Sequence, residues 1–150
     1  MNLLQGKLEK FDALNMEWAT PPEYFAELDR EFHFTLDPCS THENHKCPKY
    51  YTKEDDGLTQ DWGGERVFCN PPYDRTLTQW VSKCYYESLK PDTLVVMLIP
   101  AKTDTTYFHN YIYHRSEIRF IRGRIKFNGS DNPSSFPSML VIFRAPCLKE

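Results

Sequence analysis

The feature that most constrains the fold is residues 93–99, Thr-Leu-Val-Val-Met-Leu-Ile, the most apolar run of the chain, which Pro100 ends. A strand with one solvated face alternates apolar and polar residues, whereas a strand covered on both faces is apolar throughout. The run therefore predicts a central strand with other elements packed on each side of it. A chain of 150 residues, 40% of them hydrophobic, is long enough to form one such core. We expect a single domain over residues 16–150, with residues 1–15 as an N-terminal extension.

Shorter patterns on both sides of this strand predict the other elements. Thr20 before Pro21 and Pro22 has the chemistry of a helix start, a hydroxyl cap followed by prolines whose missing donors are harmless in the first turn. Helical patterns cover residues 22–30, 76–89 and 105–113, and strand patterns cover residues 33–36, 66–69, 117–121, 124–127 and 138–144. The last two strands predict a C-terminal antiparallel hairpin. The order of elements indicates an α/β, abbreviated three-layer domain with a mixed sheet.

The composition limits where the protein works and what it binds. No stretch approaches the ~20 apolar residues of a membrane helix, and the N-terminus lacks the pattern of a secretory signal. Five cysteines without dense, even spacing favour reduced thiols, so we expect a soluble cytoplasmic protein.

The net charge of −3 does not indicate a polyanion partner, so contact with nucleic acid requires a local basic patch. One short stretch offers such a patch, the alternative being an ordinary solvated face: Arg115, Arg119, Arg122, Arg124 and Lys126.

Polar residues follow three of the predicted strands at their carboxyl ends. Asp37 and Pro38 end the first strand, Asn70 follows the second, and a polar loop follows Pro100. The carboxyl ends of strands line the ligand crevice of an open α/β sheet, so we expect these residues around one site. The loop after Pro100 is expected to contact the substrate, although Thr103 or Asp104 could instead cap a helix. The candidate substrate-binding residues are Lys102, Thr103, Asp104, Arg122 and Arg124.

The sequence Asn70-Pro71-Pro72-Tyr73 has a chemistry that suits a conjugated amine. Two consecutive prolines fix an extended backbone without donors, which presents nearby acceptors rigidly. The exocyclic amine of adenine is a poor nucleophile because its lone pair is delocalised into the ring. The side-chain oxygen of Asn70 and the carbonyl of Pro71 could accept its two protons and favour a more tetrahedral nitrogen. Tyr73 could stack on a base that has left the helix.

Several motifs of this chain resemble a known family. Asn-Pro-Pro-Tyr after a short apolar strand resembles the catalytic signature of amino-methyltransferases. Three segments before it resemble the cofactor-binding motifs of the same family, in matching order: Trp18-Ala19-Thr20-Pro21-Pro22-Glu23, Leu36-Asp37-Pro38-Cys39 and Asp55-Asp56-Gly57-Leu58-Thr59-Gln60-Asp61-Trp62. Three later segments fit the same arrangement: Ile99-Pro100-Ala101-Lys102-Thr103-Asp104-Thr105, Phe120-Ile121-Arg122-Gly123-Arg124 and Phe136-Pro137-Ser138-Met139. Over roughly residues 16–144 the chain is similar to the small phage-encoded DNA N-6-adenine methyltransferases of the Dam type.

The resemblance implies a Rossmann-like class I methyltransferase fold and an activity on adenine in DNA, in the cytoplasm of a bacterial host. It implies S-adenosylmethionine as the cofactor, with Thr20 and Pro21 at its methionine part, Asp37 near its amino group or ribose, and Asp56 near its adenine. Trp18 and Pro38 fall within the same cofactor-binding motifs. Asn70 to Tyr73 would hold the target base.

Other functions fit parts of the same sequence. The tetrapeptide also suits methylation of adenine in RNA or of a protein glutamine, whose amide nitrogen is delocalised in the same way. A different class of function is a non-catalytic, zinc-containing nucleic-acid-binding module. Its ligands would be Cys39, His42, His45 and Cys47, whose spacing is not that of a familiar zinc finger, so we expect no metal.

Overall fold

The computed structural model describes residues 19–127 and 132–145 of the chain. Its strands, in chain order, are β1 (Leu36–Asp37), β2 (Lys49–Tyr50), β3 (Arg66–Cys69), β4 (Leu94–Pro100), β5 (Glu117–Phe120) and β6 (Ser138–Arg144). They form one sheet in the order β2-β1-β3-β4-β6-β5. The first four strands in that order are parallel, whereas β6 is antiparallel to both of its neighbours. The predicted mixed sheet is confirmed.

Helices cover both faces of the sheet. They are α1 (Pro22–Phe32), a short 3₁₀-helix (Gly57–Thr59), α2 (Leu77–Ser88) and a π-helix (Phe108–Ile112). One hydrophobic cluster joins α1 to one face of the sheet, and a second joins α2 and the π-helix to the other face. These three layers give the predicted α/β architecture, which is consistent with a Rossmann-like methyltransferase fold. In the described part of the chain, no helix is both long and apolar enough to span a bilayer.

The strand β4 lies between β3 and β6 and contributes to both clusters. Val95, Met97 and Ile99 belong to the cluster of α2, and Val96 and Leu98 belong to the cluster of α1. Every residue of β4 is buried. The prediction of a central strand covered on both faces is therefore confirmed.

The first helix agrees with the prediction in its position but not in its capping. The N-cap residue of α1 is Pro21, which makes no side-chain cap hydrogen bond, and the predicted capping role of Thr20 is wrong. The helix ends at Phe32 because His33 adopts a left-handed conformation with φ 53°. The strand predicted at residues 33–36 consequently begins only at Leu36.

The first arm of the predicted C-terminal hairpin is misplaced. β6 pairs with β5 rather than with residues 124–127, which form no strand. Ile125 and Phe127 are buried in the cluster of α1, so their apolar side chains fill the core without pairing in the sheet. Gly123, with φ 78°, separates this segment from β5.

A close backbone contact fixes the turn after β1 against the 3₁₀-helix. A Cβ atom added to Gly57 would lie 2.2 Å from the carbonyl oxygen of Pro38 and 3.2 Å from the ring of Trp80. The carbonyl of Gly57 accepts a hydrogen bond of 3.0 Å from the indole nitrogen of buried Trp62. Only glycine allows the two segments to approach this closely.

We expect Gly57→Ala to lower the free energy of unfolding by about 1–3 kcal/mol, because the backbone must move to relieve the overlap. Gly63→Ala is the matched control, since its Cβ would meet only the side chains of Asp61 and Lys90, which can move aside. Denaturant unfolding of both variants measures the difference. Equal midpoints for the two variants would contradict this account of Gly57.

Candidate active site

The carboxyl ends of β1, β3 and β4 meet at one edge of the sheet. Asp37 ends β1, Asn70 follows β3 directly, and Pro100 ends β4. β5 is antiparallel to β6, which is itself antiparallel to β4, so Phe120 ends β5 at this same edge. The edge, hereafter the catalytic edge, therefore carries the residues that the sequence predicts to share one site.

The side-chain amide of Asn70 is held from two sides. Its Nδ2 atom donates a hydrogen bond of 3.0 Å to the hydroxyl of Thr20, 50 positions earlier in the chain. Its Oδ1 atom accepts a hydrogen bond of 2.7 Å from the hydroxyl of Tyr73. The hydrogen bond to Thr20 places the amide nitrogen of Asn70 on the side of Thr20, so the amide oxygen faces Tyr73.

The hydroxyl of Tyr73 has a second acceptor within reach. It lies 2.9 Å from the carbonyl oxygen of Leu98 in β4, and its single proton can be donated to that oxygen or to Asn70. Burial raises the pKa of Tyr73 well above its ordinary value of 10.0, so the hydroxyl keeps this proton. The ring makes edge-to-face contacts with Phe127 and Phe136, at centroid distances of 6.1 and 5.5 Å.

The carboxylate of Asp37 is buried at the end of β1. Its two oxygens accept hydrogen bonds from the backbone nitrogens of Lys46, at 2.8 Å, and Cys39, at 3.4 Å. Burial raises the pKa of Asp37 from 3.8 to about 6, although these two hydrogen bonds act in the opposite direction. The site thus contains a carboxylate whose charge is poorly solvated.

Pro38 and Asp56, two further predicted cofactor-binding residues, lie at or near the turn after β1. Contact between Gly57 and the carbonyl of Pro38 brings Asp56 next to the turn after β1. Asp56 is exposed and caps the 3₁₀-helix by accepting a hydrogen bond of 3.2 Å from the nitrogen of Leu58. Trp18 lies outside the described residues.

The loop after β4 is exposed and braced by its own residues. Lys102, Thr103 and Asp104 are all exposed. The carbonyl oxygen of Thr103 lies 2.8 Å from Nε2 of His109, and Thr105 donates a hydrogen bond of 3.1 Å to the carbonyl of Lys102. The expected position beside the site is consistent with β4 ending at the catalytic edge.

The basic stretch divides into paired and exposed arginines. Both terminal nitrogens of Arg119 donate to the carboxylate of Glu31, at 2.6 and 2.8 Å, so its charge is largely compensated. Arg122 and Arg124 are exposed on the segment that follows β5 from the catalytic edge, and Arg124 donates one hydrogen bond of 3.3 Å to the carbonyl of Ser134. Arg122 and Arg124 therefore remain candidates for substrate contact.

The Cys and His residues of the alternative zinc module are not arranged as ligands. Within residues 19–127 and 132–145, no group of three or more His, Cys, Asp or Glu side chains could hold a metal ion. His45 stacks on Tyr50 at a centroid distance of 3.9 Å, while Nδ1 of His42 lies 2.8 Å from the hydroxyl of the same tyrosine. Burial raises the pKa of both Cys39 and Cys47, which opposes formation of the thiolates that bind zinc.

Two parts of the site have no signal in the sequence. The contact between Thr20 and Asn70 joins residues 50 positions apart, and no local pattern indicates it. The packing of Phe127 and Phe136 around Tyr73 is likewise unexpected, because residues 124–127 have the pattern of a strand. Gly57 belongs to the same motif as Asp56, but its role in close packing is evident only in the structure.

Comparison with known proteins identifies the family. A model of the family DNA N-6-adenine-methyltransferase (Dam) matches residues 8–147. The chain is 32% identical over 134 residues to the DNA N-6-adenine-methyltransferase of Haemophilus phage HP1, an alignment that covers 84% of this chain and 77% of the relative. It is 33% identical over 112 residues to the DNA N-6-adenine-methyltransferase of Escherichia phage T1, covering 73% of this chain but only 46% of that longer protein.

A further relative is the putative methyltransferase YfdM of Escherichia coli K12, which is 40% identical over 65 residues, 38% of this chain and 70% of the relative. The family predicted from the motifs is confirmed, because the family match spans nearly the whole chain. The chain belongs to the DNA N-6-adenine-methyltransferase (Dam) family.

Proposed function

We propose that this protein transfers the methyl group of S-adenosylmethionine to the exocyclic N6 amine of adenine in DNA, in the cytoplasm of a bacterial host. Asn70, Pro71, Pro72 and Tyr73 form the pocket that receives the flipped base. The observation that carries the proposal is the Asn70 amide, which Thr20 and Tyr73 orient at the catalytic edge. This arrangement presents an acceptor whose position is set before the substrate arrives.

The chain's own residues position the amine. The Oδ1 atom of Asn70 accepts a hydrogen bond from one N6 hydrogen of the adenine. For this, the hydroxyl of Tyr73 donates its own hydrogen to the carbonyl of Leu98 instead of to Asn70. The carbonyl of Pro71 accepts a hydrogen bond from the second N6 hydrogen, and the two hydrogen bonds together favour a more tetrahedral nitrogen with a localised lone pair. Neither acceptor is basic enough to keep a proton, so the one displaced by methylation passes to solvent. Alignment of the reacting atoms provides most of the acceleration.

The residues around the turn after β1 fit S-adenosylmethionine. When bound, this cofactor supplies an electrophilic sulfonium methyl, and it also carries an ammonium group and ribose hydroxyls. The buried carboxylate of Asp37 suits a cationic or hydroxyl partner, and Asp56, whose neighbour Gly57 packs against the carbonyl of Pro38, provides a second acceptor near the same turn. Thr20, Pro21 and Trp18 complete the proposed cofactor site.

DNA is favoured over RNA or protein glutamine as the substrate. The family and two relatives carry names that specify DNA N-6-adenine methylation. The catalytic edge also carries Arg122 and Arg124, exposed cations that suit a phosphate backbone, and Lys102, Thr103 and Asp104, which could contact the base or its neighbours.

We expect Asn70→Ala to lower kcat on unmethylated DNA by about a hundred- to a thousandfold, as for the loss of one preorganised hydrogen-bonding group. Its affinity for S-adenosylmethionine should stay close to that of the wild type. The assay is transfer of labelled methyl to DNA, followed by digestion to nucleosides, where the label should appear in N6-methyladenine. Asn110→Ala, which removes an exposed asparagine of the π-helix, is the matched control. Loss of cofactor binding with retained turnover would contradict this role for Asn70.

Cofactor affinity should depend on pH through Asp37. The pKa of Asp37 is raised to about 6, so in the cofactor-free protein its carboxyl group is mostly protonated below that pH. A cationic cofactor binds the charged carboxylate more tightly than the neutral acid, so protonation weakens binding. Affinity for S-adenosylmethionine, measured by calorimetry without DNA, should fall about tenfold between pH 7 and pH 5. Asp37→Asn should bind more weakly and lose this pH dependence. An unchanged pH profile in the variant would exclude Asp37 as the titrating group.

DNA affinity should depend on salt through the exposed arginines. Replacing Arg122 or Arg124 by Gln should reduce the slope of log affinity against log salt by about 0.9 for each phosphate that the protein no longer neutralises. Arg119→Gln is the control from the same basic stretch, because Glu31 already pairs with Arg119, and its slope should match the wild type. Equal slopes in all the variants would remove both arginines from the DNA interface.

A further inference from the structure

A large exposed aromatic residue lies at the catalytic edge without a role in the pocket. Phe120, the last residue of β5, is 65% exposed. The other large exposed hydrophobic residues of the described chain are Tyr86, Leu89 and Tyr113. Tyr86 and Leu89 lie at the end of α2, just before the start of β4, and Tyr113 lies just before the start of β5. All three are therefore near the amino ends of these strands, at the edge of the sheet opposite the catalytic edge. Phe120 is thus distinguished by its position as well as by its exposure.

The sheet fixes the separation between Phe120 and the proposed base pocket. β3, which leads to Asn70, and β5, which ends at Phe120, are three strand spacings apart in the sheet. At about 4.8 Å per spacing, the two residues lie roughly 14 Å apart across the catalytic edge. The register places Asn70 and Phe120 at nearly the same position along the strand direction. Phe120 lies opposite Met139, which lies opposite Ile99. β3 ends opposite Met97, so Asn70 follows it close to the position of Ile99.

This separation suits a residue that touches the duplex rather than the extruded base. A base that reaches the pocket has rotated out of the stack by about 180° about its backbone, so the pocket lies beside the duplex rather than within it. The base leaves behind an unstacked step, which proteins that distort DNA fill with an apolar wedge such as Phe or Leu. The exposed Arg122 and Arg124 follow Phe120 in the chain and could hold the backbone beside it.

We propose that Phe120 inserts into the DNA duplex where the target adenine leaves it and so stabilises the flipped state. The inference rests on the proposed function, because a wedge is needed only if the base is flipped out of a duplex. The flanking cations favour DNA over a second copy of this chain as the partner of this side chain. No contact of Phe120 with the cofactor or with the methylated nitrogen is required.

The test compares paired and unpaired forms of the same DNA. Phe120→Ala should lower kcat/KM on native unmethylated DNA by about tenfold or more, because opening a base pair becomes more difficult. On the same DNA after heat denaturation and rapid chilling, and on a duplex with an abasic site opposite a mapped target adenine, it should stay within about twofold of the wild type. Phe120→Leu should recover most of the duplex activity. Tyr86→Ala, a matched exposed aromatic at the opposite edge, should behave as the wild type on every substrate.

The alternative outcomes are distinguishable. An equal loss on paired and unpaired DNA, or no loss on either, would overturn the wedge. A lowered sedimentation coefficient of Phe120→Ala with an equal loss on all substrates would instead assign the residue to contact between copies of the chain. The proposed insertion of Phe120 would also be overturned if the wild-type protein methylated native DNA but neither of the two unpaired forms. Wild-type protein that labels no DNA at all would refute the proposed function itself.

Discussion

The arrangement of the site depends on β4, a strand buried along its whole length between a parallel and an antiparallel neighbour. β3 ends opposite Met97, so the ladder between β3 and β4 stops one residue before Leu98. The hydroxyl of Tyr73 donates to the carbonyl of Leu98 where the ladder no longer supplies a donor. The turn after β3 is thereby attached to the buried centre of the sheet, and a carbonyl that would be costly to leave unpaired is satisfied.

Three distant segments then fix a single amide. Thr20 precedes α1, Asn70 follows β3, and Leu98 lies within β4. The hydroxyl of Thr20 accepts from Asn70, and the hydroxyl of Tyr73 lies within hydrogen-bonding distance of both Asn70 and Leu98. Rigid positioning of this kind supports the proposed role of Asn70, since an acceptor that is already oriented does not reorganise when the substrate binds. The proline pair after Asn70 serves the same purpose by restricting the backbone of the turn.

The sequence is sufficient to predict the elements that depend on local patterns. β3, β4 and α2 follow from apolar runs and helical spacing, and polar residues at or after the carboxyl ends of β1, β3 and β4 indicate the catalytic edge. Contacts between distant residues could not be predicted, because nothing near Thr20 or Arg119 in the chain indicates their partners Asn70 and Glu31. The strand predicted at residues 124–127 is absent for a related reason, since apolar residues that fill a core can have the spacing of a strand.

Asp37 shows how a site can oppose the stability of the fold that contains it. The difference between its ordinary pKa of 3.8 and its value of about 6 corresponds to roughly 3 kcal/mol. Because the folded-state pKa is raised, the associated stability is present below pH 3.8 and is lost as the pH rises through about 6. At neutral pH the free protein therefore holds a buried carboxylate at a cost in folding free energy. A cation bound beside Asp37 would offset this cost, and relief of the cost would therefore favour the proposed binding of a positively charged cofactor at this residue.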